Sequence, residues 1–151
     1  KELLLAVEKE FLNEKETSKN LFDENGNNSE FLKHYVLEGT ITNQIVKAIS
    51  QIKNNFNEVI NMSDLAKDIG ISEASLYQNF KKITLMSPLQ YQKKIRLEEA
   101  KHMLVNQNID ASSVAFAVGY ESPSQFSREY TRMFGMSPKA HCDFIRNQDI
   151  A

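Results

Sequence analysis

Cysteine occurs once in this chain of 151 residues, at Cys142. A single thiol excludes an internal disulfide and a multi-cysteine zinc site. A reducing, cytoplasmic setting is the expectation that follows. His34, His102 and His141 have no metal-ligand spacing, so no metal is expected. His141, Cys142 and Asp143 are consecutive. A nucleophile, its base and the group that orients the base must instead converge in space. No catalytic residue and no cofactor are therefore assigned, and the chain is not read as an enzyme. No apolar run approaches the ~20 residues of a membrane-spanning helix, so no membrane partner is expected. β-Branched alternation is nearly absent, and apolar residues recur at helical spacing throughout. The chain opens at Lys1, without methionine and inside an apolar helical pattern. It is expected to be a piece of a longer protein.

Excess charge is small, with 18 Lys and Arg against 20 Asp and Glu. Its distribution is uneven. Lys1 to Ile41 carries five basic and nine acidic residues, and Thr42 to Ala151 carries thirteen and eleven. The acidity belongs to the front segment, while the remainder is mildly basic, which permits binding to phosphates.

The front segment reads as a helix with Leu4, Val7, Phe11 and Leu12 on one face, followed by a loop at Asp23 to Glu30. "EFLKHYVLEG" reads as a second short helix stopped by Gly39. A new helix is expected near Thr42, with Ile45, Ile49, Ile52 and Phe56 as its apolar stripe. The domain boundary is placed between Gly39 and Asn43. Residues 1–41 form a helical linker at the end of a missing sensing domain, and 42–151 form the main domain.

Prolines number only three, yet two of them end the same tripeptide. Met-Ser-Pro occurs at Met86–Pro88 and again at Met136–Pro138. Upstream of each copy the apolar frame also repeats. Leu65, Ala66, Ile69 and Gly70 match Val114, Ala115, Val118 and Gly119 at an offset of 49. Beyond the turn, Leu76 and Phe80 match Phe126 and Tyr130 at an offset of 50. One residue has been inserted in the turn of a doubled unit.

Each copy reads as helix, tight turn, helix. Gly70 and Gly119 supply the left-handed backbone that ends the first helix. Ser72 and Ser122 cap the second, and Pro123 stands at its first position. Met-Ser-Pro opens whatever helix follows each unit, so Ser87, Pro88, Ser137 and Pro138 are structural. The helix from Pro88 is expected to run to about Val105, ~27 Å at the usual rise. With flanking helices added, the two second helices would stand roughly one DNA turn apart, ~34 Å.

A helix–turn–helix with glycine in its turn is the arrangement whose second helix enters the DNA major groove. The expected second helices are 73–84 and 123–134. In the first, Leu76, Phe80 and Ile83 are expected inside, with Ala74, Tyr77, Gln78 and Lys81 outside and Glu73 beside them. In the second, Phe126, Tyr130, Met133 and Phe134 are expected inside, with Ser124, Gln125, Arg128 and Arg132 outside. Arginine can pair with guanine and glutamine with adenine. Arg96, midway along the connector, could meet a phosphate or a structural ion pair. Glu98 and Glu99 read as a solvated face. Two function classes fit these residues. One is a sequence-specific DNA-binding transcription regulator that reads two successive major grooves. The other is a protein-interaction module that uses the same helix–turn–helix surfaces.

Residues 43–146 resemble the DNA-binding domain of the AraC/XylS family of bacterial transcription regulators. "LAKDIGIS", "LYQNFKK", "MSPLQYQKKIRLEEAKHML" and "VAFAVGYESPSQFSREYTRMFGMSP" carry the resemblance. It implies an all-α fold of seven helices, two helix–turn–helix units joined by a long helix. It implies reading positions at Ala74, Tyr77 and Gln78, and at Ser124, Gln125 and Arg128. The implied partner is double-stranded promoter DNA, with RNA polymerase a further candidate. A homodimer through residues 1–41 is also implied, as is an effector ligand bound by a domain absent from this chain. The chain departs from the family pattern in three places. Gln78 stands where arginine is frequent, His141 and Cys142 stand where the family often ends in Tyr-Arg, and the sensing barrel is lacking.

Overall fold

The computed structural model describes residues 30–149, with side chains from Gly39 to Gln148. The expected front helix with Leu4, Val7 and Phe11 lies outside the described residues. Seven helices and no strand occur among the described residues: α1 (Glu30–Asn54), α2 (Met62–Ile69), α3 (Glu73–Thr84), α4 (Pro88–Asn106), α5 (Ala111–Ala117), α6 (Pro123–Phe134) and α7 (Pro138–Asp149). The fold is all-α, as expected.

One expectation fails in α1. Gly39 does not stop a helix, because α1 runs through it without interruption. A β-carbon built at Gly39 would meet nothing within 4 Å. The cost of glycine in a helix interior is only ~1 kcal/mol relative to alanine, and 25 consecutive helical residues absorb it. The boundary expected between Gly39 and Asn43 therefore falls within a continuous helix. Phe56 also lies past the end of α1 rather than on its stripe.

The described residues divide into two compact units, 30–51 with 61–88 and 52–60 with 89–149. In the first, Ile45, Ala48 and Ile49 of α1 are buried, as are Leu65, Ala66 and Ile69 of α2 and Leu76 and Phe80 of α3. Asn61 caps α2 by accepting from the Asp64 amide at 3.1 Å, and Ser72 caps α3 by accepting from Ser75. In the second unit, Leu97, Ala100 and Leu104 of α4 form a core with Val114, Ala115, Phe126 and Tyr130. Asp110 caps α5, and Ser122 caps α6 with Pro123 at its first position. Ser137 accepts from the Ala140 amide at the start of α7. Phe56 packs against this second core.

The repeat is visible in backbone hydrogen bonds. At the end of α2 the Gly70 amide bonds Lys67 O, and the Ile71 amide bonds Ala66 O. At the end of α5 the Gly119 amide bonds Phe116 O, and the Tyr120 amide bonds Ala115 O. The same two-bond cap closes both helices at the sequence offset of 49. Gly70 has φ of 79° and Gly119 has φ of 102°. The match extends to the ends of α3 and α6, where Leu85 bonds Lys81 O and Gly135 bonds Thr131 O, each at 2.8 Å.

Candidate nucleic-acid interface

The eight residues expected to face outward lie on the second helix of each unit. Ala74, Tyr77, Gln78 and Lys81 are spaced i, i+3, i+4 and i+7 along α3, which places them on one face. All four are exposed. Leu76 and Phe80 occupy the opposite face and are fully buried. On α6, Ser124, Gln125, Arg128 and Arg132 are likewise exposed, opposite the buried Phe126 and Tyr130. Three expected core positions are corrected: Met133 is exposed, while Ile83 and Phe134 are half-buried. All three stand in the last turn of their helix.

Arg128 and Arg132 have no side-chain partner among the described residues, so their donors are available to an incoming acceptor. Beside this face an open hollow of about 310 Å³ is lined by Ser112, Ser124, Ser127, Ser137 and Lys139, among others.

Arg96 forms no ion pair among the described residues and bonds main-chain carbonyls instead. Its Nε donates to Phe56 O at 2.6 Å, and a terminal nitrogen donates to Glu58 O at 3.0 Å. The guanidinium also lies over the Tyr120 ring, 5.8 Å from its centroid. Gln92 is buried and donates from Nε2 to the same two carbonyls, at 3.1 and 2.7 Å. Residues 56–58 are thus gripped by α4 inside the second unit.

Glu129, half-buried on α6, was not among the expected site residues. One oxygen accepts from Lys93 Nζ at 3.0 Å, and the other accepts from the Tyr120 hydroxyl at 2.5 Å. Burial pushes the Glu129 carboxyl up, but Tyr120, Lys93 and Gln125 together hold it below the ordinary glutamate value. Burial and the neighbouring Glu129 carboxylate push the Tyr120 hydroxyl well up, so it stays a donor. One signal in the sequence marks Glu129: an acidic residue one turn after Gln125 and next to Arg128.

The consecutive His141, Cys142 and Asp143 diverge. His141 Nδ1 meets the Tyr130 hydroxyl at 2.9 Å, and Cys142 donates to Leu104 O at 3.2 Å while Asp143 is exposed. No group of acidic, histidine or cysteine side chains that could hold a metal occurs among the described residues. No helix among them is long and apolar enough to cross a membrane.

The sequence profile of a helix–turn–helix domain family matches residues 65–141. The lactose operon transcription activator of Staphylococcus xylosus is 32% identical over 108 residues, 71% of this chain and 39% of that protein. The raffinose operon transcriptional regulatory protein of Pediococcus pentosaceus is 34% identical over 97 residues, 64% of this chain and 35% of that protein. This chain thus spans well under half the length of both relatives. A solved transcriptional regulator from Chromobacterium violaceum, described as containing an AraC-type DNA-binding domain, superposes with a TM-score of 0.64. It is 25% identical, and the match covers 67% of this chain and 90% of that one.

Proposed function

The chain belongs to the AraC-type helix–turn–helix family, and on that premise we propose that it is the DNA-binding part of a bacterial transcription regulator that reads duplex DNA with α3 and α6. One observation carries the reading. Both second helices present an exposed, largely polar face opposite a buried apolar frame whose positions match. Gln78 and Arg128 stand at equivalent places fifty residues apart. A solvated face needs no such correspondence.

Arg128 and Gln125 are the base-reading residues of the second unit, with Ser124 beside them. Ala74, Tyr77 and Gln78 read in the first unit, and Lys81 and Arg132 meet phosphates. The two helices enter successive major grooves. The activity is binding without catalysis, in the cytoplasm where bacterial DNA is found. Residues 1–41 join two copies, an effector is taken by a domain absent from this chain, and RNA polymerase is a further partner.

The test is binding-site selection from random duplex DNA, followed by a mobility shift on the selected site. A recurrent site that outcompetes random duplex by at least about a thousandfold supports the reading. Equal retention of all duplexes would refute it.

A further inference from the structure

The outward faces of the two second helices differ in a consistent direction. At an offset of 50, Ala74 and Tyr77 of α3 match Ser124 and Ser127 of α6, and Gln78 matches Arg128. The first unit thus sets a methyl group and an aromatic ring where the second sets two hydroxyls. Ala74 is exposed, and Tyr77 is 39% exposed. Leu76 and Phe80 on the opposite face are fully buried and fix the rotation of α3 about its own axis. Ala74 is the second residue of the helix that Ser72 caps, and Tyr77 follows at i+3, so the two side chains are neighbours in the first two turns. In a helix–turn–helix the N-terminal residues of the second helix meet the base edges.

Few donors surround this pair. Asn79 Nδ2 donates to Ser75 O at 2.9 Å and to Ser75 Oγ at 3.0 Å, so both amide hydrogens are spent within the helix. Asn79 and Ser75 are also half-buried. Glu73 is a carboxylate and only accepts. Lys81 stands two turns beyond Ala74, in the last turn of α3. Guanine shows the major groove two acceptors and calls for a paired donor, which Ala74, Tyr77 and Glu73 do not supply. Thymine shows a C5-methyl group, which an alanine methyl or an aromatic ring covers without any hydrogen bond. Gln78, four residues after Ala74 and on the same face, carries the donor and acceptor that adenine takes.

We propose that the first unit recognises thymine by its methyl group, with Ala74 and the Tyr77 ring packed on the C5-methyl in the major groove. Gln78 supplies the hydrogen-bonded part of the same preference for A·T pairs. The proposal rests on the reading of α3 as a DNA-reading helix and names the chemistry that it selects.

The experiment starts from the site that this chain recovers in binding-site selection. Each thymine of that site is replaced singly by deoxyuridine, which keeps every hydrogen-bonding group of the base and removes only the methyl. Full burial of a methyl-sized group corresponds to about fourfold in affinity. Wild-type affinity should therefore fall by about two- to fourfold at one or two thymines. In Ala74→Gly and in Tyr77→Ala the penalty at those thymines should shrink, while Arg128→Ala should keep it in full. With cytosine in place of such a thymine, 5-methylcytosine should recover about two- to fourfold over plain cytosine in the wild type. Tyr77→Ala trims an exposed side chain, so it carries the test if glycine weakens the start of α3. No deoxyuridine penalty in the wild type, or a penalty unchanged in both variants, overturns methyl recognition and leaves DNA binding standing. A selection that returns no recurrent site refutes the DNA reading itself, and the methyl contact with it.

Discussion

Replacing Gly119 with alanine should destabilise the protein far more than the same change at Gly70, although both glycines end equivalent helices. Gly119 has φ of 102°, beyond the ordinary left-handed well, and Gly70 has φ of 79°. Their surroundings differ more. A β-carbon on Gly119 would stand 2.6 Å from Asn57 O, 2.9 Å from Asn57 C and 3.0 Å from Arg96 Cζ. Neither neighbour can give way easily, because Arg96 and Gln92 grip the carbonyls of Phe56 and Glu58 on either side of Asn57. The backbone strain is worth ~1–3 kcal/mol. Overpacking against held backbone adds ~1–3 kcal/mol, and the stiffer unfolded chain returns ~0.4–1 kcal/mol. A net loss of about 3 kcal/mol is expected, a large part of the ~5–15 kcal/mol of a typical domain. On Gly70 the β-carbon meets nothing nearer than Gln44 Nε2 at 3.9 Å. Only the left-handed penalty of ~1–2 kcal/mol applies there, less the same return. Gly39→Ala, in the interior of α1, should stabilise by ~0.5–1 kcal/mol. Urea unfolding followed by far-ultraviolet circular dichroism measures all three. A loss in Gly119→Ala within about 1 kcal/mol of that in Gly70→Ala would show that the approach of residues 57 and 96 does not matter, and the reasoning would fail.

Arg128→Ala should cost about 1–3 kcal/mol on a selected site and relax preference at one base pair. Gln78→Ala should cost less, and a mobility-shift titration that reverses this order would contradict the dominance of the second unit. The slope of log affinity against log salt should correspond to only a handful of released counterions, because the region from Thr42 is only mildly basic. A slope near that of strongly basic proteins would misplace the contact surface. Glu129 has its carboxyl lowered in the fold, so the unfolded chain takes up the proton first. Its contribution is present above the ordinary value of 4.5 and is lost as pH falls through the folded value. Glu129→Gln should therefore flatten the fall in melting temperature below about pH 4.5, and an unchanged acid limb would argue against the hold of Lys93 and Tyr120 on Glu129. For residues 1–41, light scattering after size exclusion should show a dimer for this chain and a monomer for Phe11→Glu; a monomer for both removes the dimer.

The doubled unit was legible because its marks are local. Gly70, Ser72, Ser122 and Pro123 act within a turn of their own positions, and each takes the role expected from its chemistry. The apolar frame was legible for the same reason, since burial follows helical spacing: Leu76, Phe80, Phe126 and Tyr130 are all buried. The misreadings share a cause as well. Glycine punctuates, which predicts a stop at Gly39, yet without positive φ or a following turn it merely weakens a helix. Met133 was placed inside by period alone, and period does not say where the core ends. Arg96 could not be resolved at all. Its partners are carbonyls about forty residues earlier, and main-chain acceptors leave no trace in residue type. The latch of Lys93, Tyr120 and Glu129 was illegible for a similar reason, because α4, a turn and α6 supply one member each.

The two units keep the apolar character of their buried frame and differ most on their outward faces. The buried frame and the helix caps recur, because an altered core residue or a lost cap would cost stability in either copy. The ends of the second helices already differ. Leu85 adopts φ of 64° where Gly135 adopts 78°, so the first unit carries a strained, exposed leucine at a place the second gives to glycine. The outward faces differ further. Gln78 stands for Arg128, and the pair Ser75 and Asn79 stands for Gln125 and Glu129. In the first unit the Asn79 amide bonds Ser75. In the second, Glu129 is held instead by Lys93 and Tyr120, and the long side chains of Gln125 and Arg128 are exposed. On the proposed reading, α6 therefore discriminates bases more strongly than α3. The asymmetry in DNA reading should follow α6, wherever the two grooves fall on the site.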